Sequence, residues 1–444
     1  MPEKKTILVF EPEHSELAPS TVVKQQDENP VRRDDLTCAL PKPPGTVRRT
    51  TVSGEPSNGD PQSFDDSFSM TDPTGVRYDF RDGLRVMIPA SMEGSYEVIA
   101  EDAVTGFIHF RETLSPGASV SSDVKWFVPW RFTVKKDGET VMEHTMDMTG
   151  KEVAIHYPPA GLGDTIAWFS YAERFAEKTG CNLTCCMSSK VRILFEGEYP
   201  SFRWADPDAW RTTPFYAVYH MGIYNPDNEC HRQPDDFRLG GLHHAAGHIL
   251  GLPEEDMPPR VSSIPPTRDI PDKPYVCIAT TASARCKEWL NPYGWVSLVA
   301  WLTDKGYAVV DIDKDFVHGG SGIPHGTVDD TGDIDLRERV SVLKGAKAFV
   351  GVSSGLAWLA WACGVKTVLV SGWTLPCTEF STPWRVINRA VCHGCWNDAR
   401  ESFDHYDTDY CPRHRDTPRQ HECSKAISGM QVKLALVDAL GVEP

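Results

Sequence analysis

Hydrophobic and polar positions keep three different rhythms in turn along the chain. Residues 1–65 keep none: they are rich in Pro, Ser, Thr, Asp and Lys. Such a composition buries too little apolar surface to offset the entropy of ordering, so this stretch is expected to be disordered or extended. From residue 76 to 148 short runs alternate apolar with polar side chains, the period-2 mark of half-buried strands. Residues 76–80, 84–88, 96–100, 107–110, 130–134 and 141–146 are predicted strands. Arg81-Asp82-Gly83 and Lys136-Asp137-Gly138 supply tight-turn chemistry between them. Strands this short and closely spaced predict a small all-β barrel or sandwich over residues 66–150.

At residue 152 the rhythm changes to strands alternating with helices. A strand over 153–157 precedes a helix over 165–178, with Ile166, Phe169, Ala172 and Ala176 on one stripe. Strands near 191–195 and 215–219 follow. Seven prolines between residues 253 and 274 read as a linker. A second alternating unit then runs through strands at 275–280, 307–312, 348–352 and 367–370, with helices at 295–305, 336–343 and 356–363. This predicts an α/β protein with two Rossmann-like domains, 151–252 and 275–444, behind the β domain. Two such sheets place a ligand in the cleft between them, at the carboxyl ends of their strands.

Composition narrows the function. Of 444 residues, 40% are hydrophobic and 24% charged, the balance of a globular chain. The formal charge of −17 argues against a general nucleic-acid binder, which usually carries a basic stripe. No apolar run approaches the roughly 20 residues of a membrane span. The opening residues have only Ile7-Leu8-Val9-Phe10 as an apolar stretch, too short for a signal peptide. A cytoplasmic protein is therefore expected. Four of the thirteen cysteines, Cys392, Cys395, Cys411 and Cys423, fall within 32 residues. Without a secretory signal such a cluster reads as a metal site, four thiolates suiting a closed tetrahedral ion, zinc or iron. One cysteine could be a bystander, with His393, His414 or His421 as ligand instead.

Three further constellations sit at predicted strand ends. Gly161-Leu162-Gly163-Asp164 lets the backbone approach a ligand, and Asp164 could accept a proton from an attacking hydroxyl; an N-cap role is the alternative. Ser353-Ser354-Gly355-Leu356 opens a helix whose free N–H groups and dipole favour a phosphate, with a plain Ser cap as the alternative. Thr280, Thr281, Ser283 and Lys287 follow the first strand of the second sheet and could hold a diphosphate, although a loop lysine is commonly just solvated. His244 and His248 are spaced i, i+4 as in zinc proteases, but Ala245 stands where the general-base Glu would be, which disfavours that reading.

Taken together the chain resembles the bacterial autotransporter heptosyltransferases, relatives of the lipopolysaccharide-core heptosyltransferases. Residues 349–398 carry the resemblance most strongly, through Ser353-Ser354-Gly355-Leu356, Glu379-Phe380, Arg385-Val386-Ile387-Asn388 and Cys392-His393-Gly394-Cys395-Trp396-Asn397-Asp398. Residues 78–86 and Gly161-Leu162-Gly163-Asp164 add to it. The resemblance implies a GT-B fold behind a β-barrel domain, with an acceptor domain at 151–252 and a donor domain at 275–444 that carries a cysteine finger at 391–424. It also implies iron on the four cysteines, a ring-like homo-oligomer with a dodecamer as the expected size, ADP-heptose as donor and serines of an autotransporter passenger as acceptor. Asp164 falls on the family's catalytic base. Lys287 falls on its diphosphate-binding lysine, and Gly161, Gly163, Thr280, Thr281, Ser283, Ser353, Ser354, Gly355, Leu356, Glu379 and Phe380 fall in the donor-binding set. The alternatives are transfer to a lipopolysaccharide core, or a non-catalytic metal-binding adaptor. The 65 N-terminal residues and the histidines at 243–248 have no counterpart in this picture.

Overall fold

The computed structural model describes residues 48–51, 67–226, 229–314, 324–404 and 406–443. The expectation for the remainder of 1–65 lies outside them. Within that stretch Arg48–Thr51 (β1) is a strand on the edge of the first sheet, paired antiparallel with Ala118–Ser121 (β7). The other β-domain strands are Met70–Thr71 (β2), Arg77–Asp79 (β3), Arg85–Met87 (β4), Tyr96–Asp102 (β5), Ile108–Leu114 (β6), Trp130–Lys136 (β8) and Glu139–Thr145 (β9). They form two antiparallel sheets, β1-β7-β4-β3-β2 and β6-β5-β8-β9. Val86, Val98, Phe132 and Val134 are fully buried in one core, because alternation along each strand turns one apolar face inward.

The second layer is a parallel sheet ordered β12-β11-β10-β13. Its strands are Glu152–His156 (β10), Asn182–Cys186 (β11), Arg203–Ala205 (β12) and Ala217–His220 (β13). The helices are Leu162–Phe169 (α1), Ala172–Thr179 (α2), Ser189–Arg192 (α3), Ala209–Thr212 (α4) and Leu242–Ile249 (α5). A bridge between Phe80 and Ala217 joins this sheet to the β domain. Two expectations fail here. The helix predicted over 165–178 is broken at Ser170–Tyr171, since Tyr171 turns its ring into the core and sits against Gly247 of α5. The strand predicted at 191–195 is instead α3 and a turn that buries Leu194 and Phe195.

The third layer is a six-stranded parallel sheet, β16-β15-β14-β17-β18-β19. Its elements are Tyr275–Ala279 (β14), Gly294–Asp304 (α6), Ala308–Asp311 (β15), Val328–Asp329 (β16), Leu336–Gly345 (α7), Ala348–Val352 (β17), Gly355–Ala362 (α8), Thr367–Val370 (β18), Arg385–Val386 (β19), Glu422–Lys425 (α9) and Gly429–Leu440 (α10). Strands β14, β17 and β18 are buried at every residue, as expected of strands covered by helices on both faces. The tightest interdomain contact is α1 against α8. A Cβ on Gly163 would lie 2.7 Å from Trp358 Cδ1 and 3.2 Å from Gly355 Cα. A Cβ on Gly355 would lie 2.9 Å from Leu162 Cβ and 3.1 Å from the Gly163 amide nitrogen. Only glycines let the two helix starts meet this closely.

Candidate active site

Where α1 and α8 meet, the carboxyl ends of the two parallel sheets enclose a cavity of about 380 Å³, within the range of small-molecule sites. Its lining comes from the turn after each of five strands: Gly161, Leu162, Gly163 and Asp164 after β10, Thr281, Ala282 and Ser283 after β14, Asp313 and Lys314 after β15, Ser353, Ser354, Gly355 and Leu356 after β17, and Trp373 and Thr374 after β18. Two helix starts therefore present unpaired N–H groups and dipole ends to one space, which favours an anion there. The Ser354 hydroxyl is buried with no partner and does not cap α8. Asp164 is the third residue of α1, and its Oδ2 accepts a 3.1 Å bond from the Gly161 amide. This contact fixes the carboxylate at the cavity wall.

Not every predicted donor residue faces the cavity. Phe380 is 2% exposed and stacked on Trp361 at 5.4 Å. It backs the wall behind Trp358, so direct ligand contact is corrected to support. Thr280 is also turned away: its amide and hydroxyl bond Asp313 Oδ2 at 2.7 and 2.8 Å. Lys287 is not among the lining residues either, but its Nζ reaches two that are, 3.3 Å from Ser283 Oγ and 4.9 Å above the Trp373 ring. Glu379 lines the cavity but is 4% exposed and engaged on both oxygens. It accepts from Ser353 Oγ at 2.6 Å and Thr374 Oγ1 at 2.7 Å, and pairs with Arg385 at 2.6 Å. The carboxylate thus anchors the serine turn from within the cavity wall.

Sequence reasoning missed Asp313, Trp373, Thr374, Thr378 and Trp396, which line the cavity, and Asp311, buried beside Asp313 behind it. Burial and then the neighbouring Asp313 push the Asp311 carboxyl up to about 8, while burial raises Asp313 and bonds from Thr280 and Thr281 pull it back. Their Asp-Ile-Asp spacing at a strand end was the available signal.

The cysteine segment forms part of the same wall. Gly394 N bonds Gly372 O at 2.8 Å, Trp396 N bonds Trp373 O at 3.2 Å, and Leu375 N bonds Asn397 Oδ1 at 2.8 Å. The segment 396–410 shows no apolar period and many charges. Even so, Trp396, Phe403 and Tyr410 pack with Trp373, Cys286 and Cys395 in a small core. Aromatic spacing wider than a helix or strand period concealed it. Burial first, and then the nearby Cys395, Cys411 and Cys392, push the Cys423 thiol up to about 12. Those three neighbouring sulfurs oppose ionisation of Cys423, an effect that a bound cation would reverse, although the four sulfurs do not gather within 4.8 Å of one another. The most compact donor group in the segment is Cys392, His414 and Glu422, all within 4.8 Å of one another, so His414 stands ready where a nitrogen ligand was the alternative.

Comparison with known proteins places this architecture. Residues 72–138 match the family described as glycosyltransferase TibC, N-terminal domain, and residues 250–404 match glycosyltransferase family 9 (heptosyltransferase). The autotransporter heptosyltransferase BAHTCr of Citrobacter rodentium is 42% identical over 81% of this chain and 88% of its own. The autotransporter heptosyltransferase TibC of Escherichia coli O78:H11 is 41% identical over 83% of this chain and 90% of its own. A relative in Burkholderia thailandensis, 36% identical over 83% of this chain and 86% of its own, is described as inactive. The crystal structure of TibC, described as an iron-containing dodecameric glycosyltransferase, superposes with a TM-score of 0.79 at 40% identity, covering 85% of this chain and 98% of that one. A second TibC structure, in complex with ADP-D-β-D-heptose, gives the same TM-score of 0.79. With two GT-B-type sheets behind a β domain and identity above 40% across most of its length, the chain belongs to the autotransporter heptosyltransferase family.

Proposed function

We propose that this protein transfers heptose from ADP-heptose to serine hydroxyls of an autotransporter passenger, in the cytoplasm, as a ring-like homo-oligomer, with one structural iron (zinc as the alternative) held by Cys392, Cys395, Cys411 and Cys423. The carrying observation is a carboxylate, Asp164, set beside two abutting helix starts in one interdomain cavity. The serine oxygen attacks the anomeric carbon while Asp164 takes its proton. The bond to the diphosphate oxygen breaks with inversion, and the ADP leaving group keeps the electron pair. Lys287 and the amides of the Ser353, Ser354, Gly355 and Leu356 turn offset the diphosphate charge, so no divalent cation is needed for the chemistry. Residues 275–444 hold the donor and 151–252 face the acceptor.

Family membership alone does not establish turnover, since one relative is described as inactive. Intact-mass analysis of a passenger co-expressed with the protein should show heptose additions, and Asp164→Asn should cut them by about 10²–10⁴-fold. Asn keeps an oxygen for the Gly161 amide, so the fold should survive. An unmodified passenger with the wild-type protein would favour a non-catalytic adaptor; full modification by Asp164→Asn would remove the base assignment.

A further inference from the structure

The histidines of α5 are left unexplained by heptose transfer. Neighbouring residues on a helix point roughly 100° apart and do not normally meet. His243 and His244 nevertheless bring their ring centroids to 3.9 Å, tilted by 36°, and both turn Nε2 towards one carboxylate oxygen. His243 Nε2 contacts Asp256 Oδ1, and His244 Nε2 lies 3.3 Å from the same atom. Asp256 comes from the proline-rich linker, and its other oxygen accepts from the Ser381 amide at 3.0 Å, which leaves Oδ1 free to face the rings.

We propose that His243, His244 and Asp256 form a second metal site, separate from the cysteine finger, for a first-row divalent cation such as Zn²⁺. Two imidazole nitrogens and a carboxylate oxygen within 4.8 Å of one another are a donor set that zinc accepts. The surroundings also match. His244 Nδ1 lies 3.7 Å from Glu254 Oε2, the outer carboxylate that commonly orients a metal-bound histidine. With the proton on Nδ1, on the side of the Glu254 charge, Nε2 presents a bare lone pair to an acceptor oxygen, and a cation between them turns repulsion into two bonds. His243 is fully buried against Trp358 and Trp361, at 5.4 and 5.8 Å between ring centroids. Its Nδ1 has no partner, so Nε2 is its engaged nitrogen. His244 and Asp256 keep 19% and 32% of their side-chain exposure, which leaves a way in for the ion. Because α5 begins with a 2.9 Å bond from Leu242 N to Thr378 O, an ion here would fasten the acceptor domain, the linker and the donor domain at the back of the cavity.

The test is titration of the purified full-length protein, its cysteine-site ion in place, with Zn²⁺ by calorimetry. One equivalent beyond the cysteine-bound ion is expected, and His244→Ala and Asp256→Asn should each weaken it roughly tenfold or more while leaving cysteine-bound metal unchanged. Co²⁺ added in place of Zn²⁺ should give visible bands without sulfur-to-cobalt charge transfer, a readout that needs no variant. No additional equivalent, an equivalent that survives both substitutions, or a thiolate charge-transfer band from the added Co²⁺ would each overturn the proposal.

Discussion

At the carboxyl ends of β10 and β13, His156 and His220 face each other with their Nδ1 atoms 3.0 Å apart. One nitrogen must carry a proton and the other must not. Burial lowers both rings, His156 to about 4 and His220 to about 3, and the charge of His156 lowers His220 further. Between pH 6.5 and about 4 the unfolded chain therefore binds more protons than the folded one, and stability falls as pH falls. The loss by pH 4.5 should be on the order of 2–4 kcal/mol. Urea midpoints followed from pH 7 to 4.5 should drop more steeply in the wild type than in His220→Gln; equal slopes would dismiss the pair as the cause. Lys287 tests a different residue-scale term. A charge-assisted bond contributes about 1.5–3 kcal/mol, so Lys287→Ala should weaken ADP-heptose roughly 10–100-fold by calorimetry. Unchanged affinity would leave the lysine with only its Ser283 and Trp373 contacts.

The pairing of α1 with α8 fixes how closely the two domains approach. Gly355→Ala places a methyl against Leu162 Cβ and the Gly163 amide, and the latter is backbone that cannot swing aside. Overpacking of this kind costs about 1–3 kcal/mol. The variant should melt earlier and lose donor affinity together, since the shifted amides belong to the turn proposed to hold the diphosphate. A variant with normal melting and normal donor binding would show that the contact is looser than the structure has it. These glycines were visible in the sequence because Gly161-Leu162-Gly163-Asp164 and Ser353-Ser354-Gly355-Leu356 each follow an apolar run. What misled was local propensity. Val191-Arg192-Ile193-Leu194-Phe195 has strand-forming residues, yet Ser188 caps a short helix there through a bond from the Lys190 amide. The neighbouring strand β11 holds Thr184, Cys185 and Cys186 in the sheet, where tertiary burial outweighs propensity.

Across the whole molecule the cavity wall is assembled from segments far apart in sequence, which no local period reveals. Trp373 and Trp396 come from opposite ends of the cysteine finger's entry. Asn397 ties the wall further, donating from Nδ2 to Arg238 O at 2.8 Å and accepting at Oδ1 from Thr378 Oγ1 at 3.1 Å. The cysteine spacing was legible, whereas its coupling to the interdomain cavity was not.

That coupling decides what metal removal should do. A Cβ on Gly372 would lie 2.3 Å from Cys423 O, so the Cys423 backbone presses directly behind the Trp373 strand end. If the finger holds the proposed ion, removing it leaves the aromatic contacts of Trp396, Phe403 and Tyr410 but takes away the tie between the cysteines. Binding energy at such a site is also local folding energy. Chelation, or a single Cys→Ser at 392, 395, 411 or 423, should therefore expose the finger to proteolysis first and weaken ADP-heptose binding in step with it. The β-domain core, with Val86 and Phe132 fully buried and remote in sequence from the finger, should remain protected. Limited proteolysis with mass spectrometry, run beside calorimetry on metal-loaded and chelated protein, separates the two regions. If the chelated protein binds donor with unchanged affinity, the finger is not part of the donor wall's support, whatever ion it holds.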